Sequence, residues 1–203
     1  RPGDQVDLQP DAVLEVLQSL QKLDMDHLMG RRDFPLNRWE THSYLERVRV
    51  MYDPVVSVMG QRRWSRVLDF YTEALRWTET RKSVLVHGDL TEHNLLVTPD
   101  GRPMLLDFER IGAGNEDHDL AWIWIHSLRD PDWKRHLLGT WFGPRVGSDR
   151  IRAEWGIRSA LVYLACRRLR YGYLTEGAED PFQARNLALL DAAVVGGGEL
   201  FPT

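Results

Sequence analysis

Between Asn94 and Asp107 the chain reads NLLVTPDGRPMLLD, two apolar β-forming runs on either side of Pro99-Asp100-Gly101. Proline pre-sets φ at the first central position of a turn, aspartate bonds its own backbone, and glycine supplies positive φ, so the segment is expected to be a β-hairpin. No other stretch constrains the fold as tightly, because a hairpin also fixes which side chains lie opposite one another. With a four-residue loop, Pro99 to Arg102, Thr98 faces Pro103, Val97 faces Met104, Leu96 faces Leu105, Leu95 faces Leu106 and Asn94 faces Asp107. Directly opposed side chains share a face, with Cβ atoms about 4.5–5.5 Å apart. That register brings an amide oxygen and a carboxylate together at the open end of the hairpin. Two hard oxygen donors that leave positions for water and phosphate suit Mg²⁺. Asp89, in the loop feeding the hairpin, would join them as a group able to accept a proton from, or orient, an attacking hydroxyl.

Helical patterns flank this β-rich centre. Pro10 fits a first helical turn, and Val13, Val16, Leu17, Leu20 and Leu23 follow at the spacing of one helical face. Residues 31–39, RRDFPLNRW, read as a loop leading to a helix from about Thr41 to Tyr52, before Pro54. Another helix is expected from near Ser65 toward Thr80, with Val67, Leu68, Tyr71, Leu75 and Trp77. Short strands follow at Ser83–Val86, Leu95–Val97 and Met104–Leu106. The helical period returns from Asp117, most clearly in Ile151–Tyr173 and Phe182–Val195, and the glycines at 196–198 read as a helix stop. No internal repeat or long linker divides residues 1–203, so one compact domain is expected.

Composition narrows the function classes. A formal net charge of −4, with both signs interspersed, gives no electrostatic footprint for nucleic acid. Cys166 is the single cysteine, which excludes an internal disulfide and fits a buried structural thiol. No apolar run reaches the ~18 residues of a membrane-spanning helix, and the first ten residues lack a signal-peptide layout, so a cytoplasmic location is expected.

The motif His87-Gly88-Asp89-Leu90-Thr91-Glu92-His93-Asn94 resembles the HxDxxxxN catalytic loop of kinase-like phosphotransferases, in the HGD form of the aminoglycoside phosphotransferase and choline kinase family. Leu105-Leu106-Asp107-Phe108-Glu109 is similar to the metal-binding segment that follows, with DFE in place of DFG. Asp117-His118-Asp119-Leu120-Ala121 is similar to the D-x-D-L-A element that opens the next helix. The resemblance implies an α+β, mainly α-helical fold: a protein-kinase-like C-terminal lobe with a small β-hairpin at its catalytic centre. It also implies ATP and Mg²⁺, with Asp89 as catalytic base, Asn94 and Asp107 as metal and nucleotide ligands, and γ-phosphoryl transfer to a hydroxyl of a small molecule. Glu109 would reach a second metal, Leu96 would lie under adenine, and Asp119 would cap its helix while tying down the catalytic loop. His87 is expected to shape the loop. No Gly-rich phosphate loop or strand lysine precedes Asp89, so residues 1–203 are expected to be the C-terminal lobe alone, without the N-terminal lobe that covers the nucleotide, and inactive by themselves.

The acceptor is open between aminoglycoside-like, choline-like and sugar or amino-alcohol classes. Trp77, Trp122, Trp124, Tyr163, Tyr171 and Tyr173 offer rings for a cation, although aromatic stripes are more often core. Glu176, Glu179 and Asp180 would meet a polyamine sugar or simply face solvent. Two other classes stay in view. One is a non-catalytic kinase-like binding module. The other is a metal-dependent hydrolase built from His87, Asp89, His93, Asp107, Asp117, His118 and Asp119, against which stands the lack of an HxxxH or HExxH pair.

Overall fold

A computed structural model describes residues 8–25, 27, 37–98, 102–175 and 181–196. In chain order the elements are α1 (Pro10–Gln21), β1 (Asn37–Trp39), α2 (Thr41–Val50), α3 (Tyr52–Met59), α4 (Gln61–Thr78), β2 (Val84–Val86), β3 (Leu95–Val97), β4 (Pro103–Leu105), β5 (Gly112–Gly114), α5 (His118–His126), α6 (Pro131–Phe142), α7 (Gly147–Thr175) and α8 (Pro181–Val195). A single 3₁₀ turn, Glu92–Asn94, leads into β3. The turn at 99–101, residues 31–36 of the expected loop, the acidic stretch at 176–180 and the glycines at 197–198 lie outside the described residues.

The helices bury the faces that their spacing requires. In α1, Val13, Leu14, Leu17 and Leu20 are buried, while Leu23, beyond the helix end, is exposed. Pro54 does not end a helix. It sits in the first turn of α3, where its missing N–H has no intrahelical partner to lose. Helix α4 begins four residues before Ser65 and buries Trp64, Val67, Tyr71, Ala74 and Thr78 along one stripe. Helix α7 is different, since every residue from Gly156 to Cys166 is buried. A helix enclosed on all sides is the axis of the molecule, and α7 packs against α2, α3, α4, α5 and α8. Arg158 fixes the last of these contacts, its Nε and Nη2 each donating at 2.8 Å to the Ala193 and Val194 carbonyls at the end of α8.

A three-stranded sheet lies beside this helical body in the order β1-β5-β2, with β1 parallel and β2 antiparallel to β5. Strand β1 falls where the sequence suggests loop, and β5 falls in a stretch to which the sequence assigns no element. Strand β5 is Gly-Ala-Gly, without a β-former, because a Cβ at Gly112 would lie 2.4 Å from the Asn37 carbonyl oxygen and one at Gly114 would lie 2.8 Å from Trp39 Cβ.

The separate hairpin β3-β4 has a register one residue away from the expected one. Leu95 pairs with Leu105, Leu96 with Met104 and Val97 with Pro103. Thr98 closes the turn on Arg102, its N–H donating to the Arg102 carbonyl at 2.9 Å and its Oγ1 accepting from the Arg102 N–H at 3.1 Å. Only three residues lie between them, rather than four. Asn94 consequently pairs with Leu106, whose N–H donates to its carbonyl at 3.0 Å, and Asp107 is not directly opposite Asn94. Asp107 instead leaves the strand at φ +61°, a left-handed conformation that aspartate tolerates better than most residues.

Candidate active site

The segment His87–Asn94 is fastened from two sides. The backbone N–H groups of His87 and Gly88 donate to the two carboxylate oxygens of Asp119, at 2.7 and 2.9 Å. Asp119 is fully buried in the first turn of α5, and burial raises its pKa while these two donors act in the opposite direction. It does not cap the helix, because the N-cap position is Asp117. On the other side, His87 Nε2 lies 2.7 Å from the Leu106 carbonyl, and its Nδ1 accepts from the Asp89 N–H at 3.4 Å. A ring whose Nδ1 accepts from the Asp89 N–H presents Nε2–H to the Leu106 carbonyl, so both nitrogens are bonded.

Gly88, at φ +82°, allows the closest approach in the loop. A Cβ there would lie 2.2 Å from the Arg110 carbonyl oxygen and 2.7 Å from Trp39 Nε1, two atoms that already share a 2.9 Å hydrogen bond. Behind the loop, His118 stacks on Trp39 with ring centroids 4.8 Å apart and shares a 2.7 Å hydrogen bond between its Nδ1 and the Tyr44 hydroxyl. Burial lowers its pKa to about 3.

The predicted site residues take the following places. Asp89 is half-buried at the loop's tip, its Oδ2 3.6 Å from Arg110 Nε. Asn94 donates from Nδ2 to the Asp89 carbonyl at 2.9 Å, which locks the two together and leaves the amide oxygen to accept. Asp107 follows Leu106, the residue held by both Asn94 and His87, and among the described residues its exposed carboxylate receives only a long 3.5 Å contact from the Glu109 N–H. Glu109 is exposed. With the observed register, Leu96 shares the face of Asn94 with Met104 and Leu106, and all three are open to solvent. Asn94 and Asp107 therefore offer hard oxygens of the kind Mg²⁺ accepts, and neither takes part in an ion pair among the described residues.

The alternative metal cluster is not assembled. Among the described residues, no group of three His, Cys, Asp or Glu side chains could hold a metal ion. Asp117 is bound to Arg81 and Trp141, Asp119 to the loop backbone and His118 to Tyr44.

Beside Asp89 opens a cavity of about 300 Å³, walled by Trp122 and His126 of α5, by Arg167, Arg168 and Tyr171 of α7, and by Phe182 of α8. Arg168 Nη2 donates to the Ile125 carbonyl at 3.1 Å and lies 3.2 Å from His126 Nδ1, while the Arg167 guanidinium sits 5.0 Å from the Trp122 ring centroid. Burial first, and then Arg168, Arg167 and Lys134, lower the His126 pKa to about 4. The motif reading missed His126, Arg167 and Arg168, as it missed Arg110. The available signal was an Arg pair closing an otherwise apolar run on the longest helix.

Residues 3–160 match the phosphotransferase enzyme family. The chain belongs to that family. The solved structure of a choline/ethanolamine kinase family protein from Mesorhizobium loti superposes on it with a TM-score of 0.62 at 17% sequence identity. The match covers 94% of this chain and 63% of that one, so the chain spans less than two thirds of its structural relative. None of the curated proteins matches. The family inferred from the HGD loop and the mainly helical kinase-like fold are thus borne out. Among the described residues, no helix is long and apolar enough to cross a membrane.

Proposed function

We propose that this protein is a small-molecule kinase that transfers the γ-phosphoryl group of ATP to a hydroxyl. The observation that carries the reading is the position of Asp89: it lies on a loop fixed by Asp119 and His87, is bonded through its carbonyl to Asn94, and lines the mouth of a cavity large enough for a small acceptor. Asp89 orients the acceptor hydroxyl and takes its proton as the oxygen bonds to the γ-phosphorus. The bond from that phosphorus to the β–γ bridging oxygen breaks, and ADP leaves with the electron pair. Asn94 and Asp107 would hold Mg²⁺, which neutralises phosphate charge when bound, and Glu109 would hold a second ion. Leu96, on the exposed apolar face of the hairpin, would lie under the adenine. Arg110 steadies the Asp89 carboxylate from the side.

In this reading residues 1–203 supply the catalytic and acceptor-binding lobe, and a second lobe covers the nucleotide. Turnover then belongs to the two lobes together, in the cytoplasm, where ATP is available. The test compares the full-length natural protein with its Asp89→Asn variant, following ADP release with Mg²⁺-ATP and a panel of alcohols. General-base removal is expected to lower kcat by about 10²–10⁴-fold with the fold intact. Equal rates in the two proteins would remove Asp89 from the chemistry.

A further inference from the structure

The cavity beside Asp89 has a chemical bias that the family motifs do not specify. Arg167 and Arg168 can only donate hydrogen bonds. Because Arg168 donates to His126 Nδ1, and because His126 is neutral above about pH 4, the imidazole proton sits on Nε2, which is a donor as well. Trp122 also lines the cavity, and its buried Nε1–H has no acceptor among the described residues. Among the described residues, Asp89 is the single carboxylate in the wall. Glu92, which acts on Lys134, is already engaged by Ser127 Oγ at 2.5 Å and by Arg129 Nε at 3.4 Å. Lys134 adds positive charge close to Arg168. A donor-rich wall carrying two guanidiniums leaves its hydrogen-bonding capacity unmet unless the ligand brings acceptors.

Resting on the phosphotransfer reading above, we infer that the acceptor is an anion: a hydroxyl compound carrying a carboxylate or phosphate group that Arg167 and Arg168 hold while Asp89 faces its hydroxyl. The two ends of the cavity divide the work, one neutralising the ligand's charge and the other receiving its proton. A cationic acceptor of the choline or polyamine type would instead place its charge beside two arginines, at an electrostatic disadvantage that the partly buried site does not screen well.

The test uses three six-carbon polyols matched in size: D-gluconate, D-glucitol and D-glucamine, with charges of −1, 0 and +1 at neutral pH. With the full-length protein and Mg²⁺-ATP, kcat/KM is expected to fall in that order, with at least about tenfold between the anion and the cation. Arg167→Gln with Arg168→Gln is expected to lower the gluconate value by about tenfold or more and to shrink the gluconate-to-glucamine ratio by a similar factor. Arg167→Gln alone and Arg168→Lys guard against a folding defect, because both keep the hydrogen bonds to α5 within reach, and a thermal melt checks each variant. Calorimetric titration with gluconate and with orthophosphate provides a second arm that needs no turnover. Failure of both anions to bind at millimolar concentration, or binding insensitive to the double substitution, overturns the inference. Asp89-dependent turnover of glucamine in preference to gluconate also overturns it and leaves the kinase reading standing. Gluconate binding that depends on the arginines, with no Asp89-dependent turnover of any alcohol, keeps the anion site and overturns the kinase reading.

Discussion

Replacing Gly88 by alanine tests whether the loop that carries Asp89 is held as closely as its geometry indicates. Two separate penalties are expected. The first is conformational: alanine at φ +82° gives up roughly 1–2 kcal/mol relative to its preferred backbone regions. The second is steric, because a Cβ 2.2 Å from the Arg110 carbonyl oxygen and 2.7 Å from Trp39 Nε1 must push apart the two atoms that form a 2.9 Å hydrogen bond. Overpacking of this kind costs about 1–3 kcal/mol, and loss of the Trp39 bond would add about 1 kcal/mol. The sum is roughly 3–6 kcal/mol. Gly147 supplies the control, since it also has positive φ, at +55°, but a Cβ there meets nothing within 4 Å. Gly147→Ala should show only the conformational part, roughly 1–2 kcal/mol. Urea unfolding of both variants, with m-values checked for equality, separates the two contributions. A Gly88→Ala loss within about 0.5 kcal/mol of the Gly147→Ala loss would refute the close packing of loop, Arg110 and Trp39.

Two further outcomes follow from buried charge and helix docking. His118 has a folded pKa of about 3 against an ordinary 6.5, so between those values the unfolded chain binds a proton that the folded chain does not. Stability linked to this residue is therefore present above pH 6.5 and lost as pH falls toward 3, with about 2 kcal/mol gone by pH 5; urea melts of wild type and His118→Asn at pH 7.5 and 5.0 should differ by that amount, and parallel pH profiles would reject the assignment. Arg158→Met keeps an apolar stem but removes the two 2.8 Å donations to Ala193 and Val194, and is expected to cost about 2–4 kcal/mol. Hydrogen exchange should show the loss first in α8, and a uniform change across all helices would contradict the capping role.

The parts of this structure that could be read from sequence are those whose information is local. Helices α1 and α4 bury a single apolar stripe, so their spacing reveals both the element and its inner face. Helix α7 shows no such stripe, because the molecule packs around it on all sides, yet its apolar content still marks it. Strands β1 and β5 carry no local signal. Each is three residues long, and β5 exists because its two glycines admit Asn37 and Trp39 from a segment more than 70 residues away. The cavity's arginines were hidden for the same reason: their significance depends on α5 and α7 meeting beside a loop that belongs to neither.

The hairpin shows how a one-residue difference bears on the chemistry. Direct opposition of Asn94 and Asp107 was the ground for expecting a shared metal site, but Thr98 shortens the loop and sets Leu106 opposite Asn94. In a regular strand, Asp107 would then alternate onto the face away from Asn94. Its φ of +61° breaks that alternation at the very residue the motif singles out. A left-handed aspartate one step beyond a strand is a local departure of about 1–2 kcal/mol, retained where the surroundings over-determine it. The residue before it is held on both sides: Leu106 donates its N–H to the Asn94 carbonyl, and its own carbonyl meets His87 Nε2. His87 therefore links the two halves of the site, holding the loop that carries Asp89 against the turn that carries Asp107.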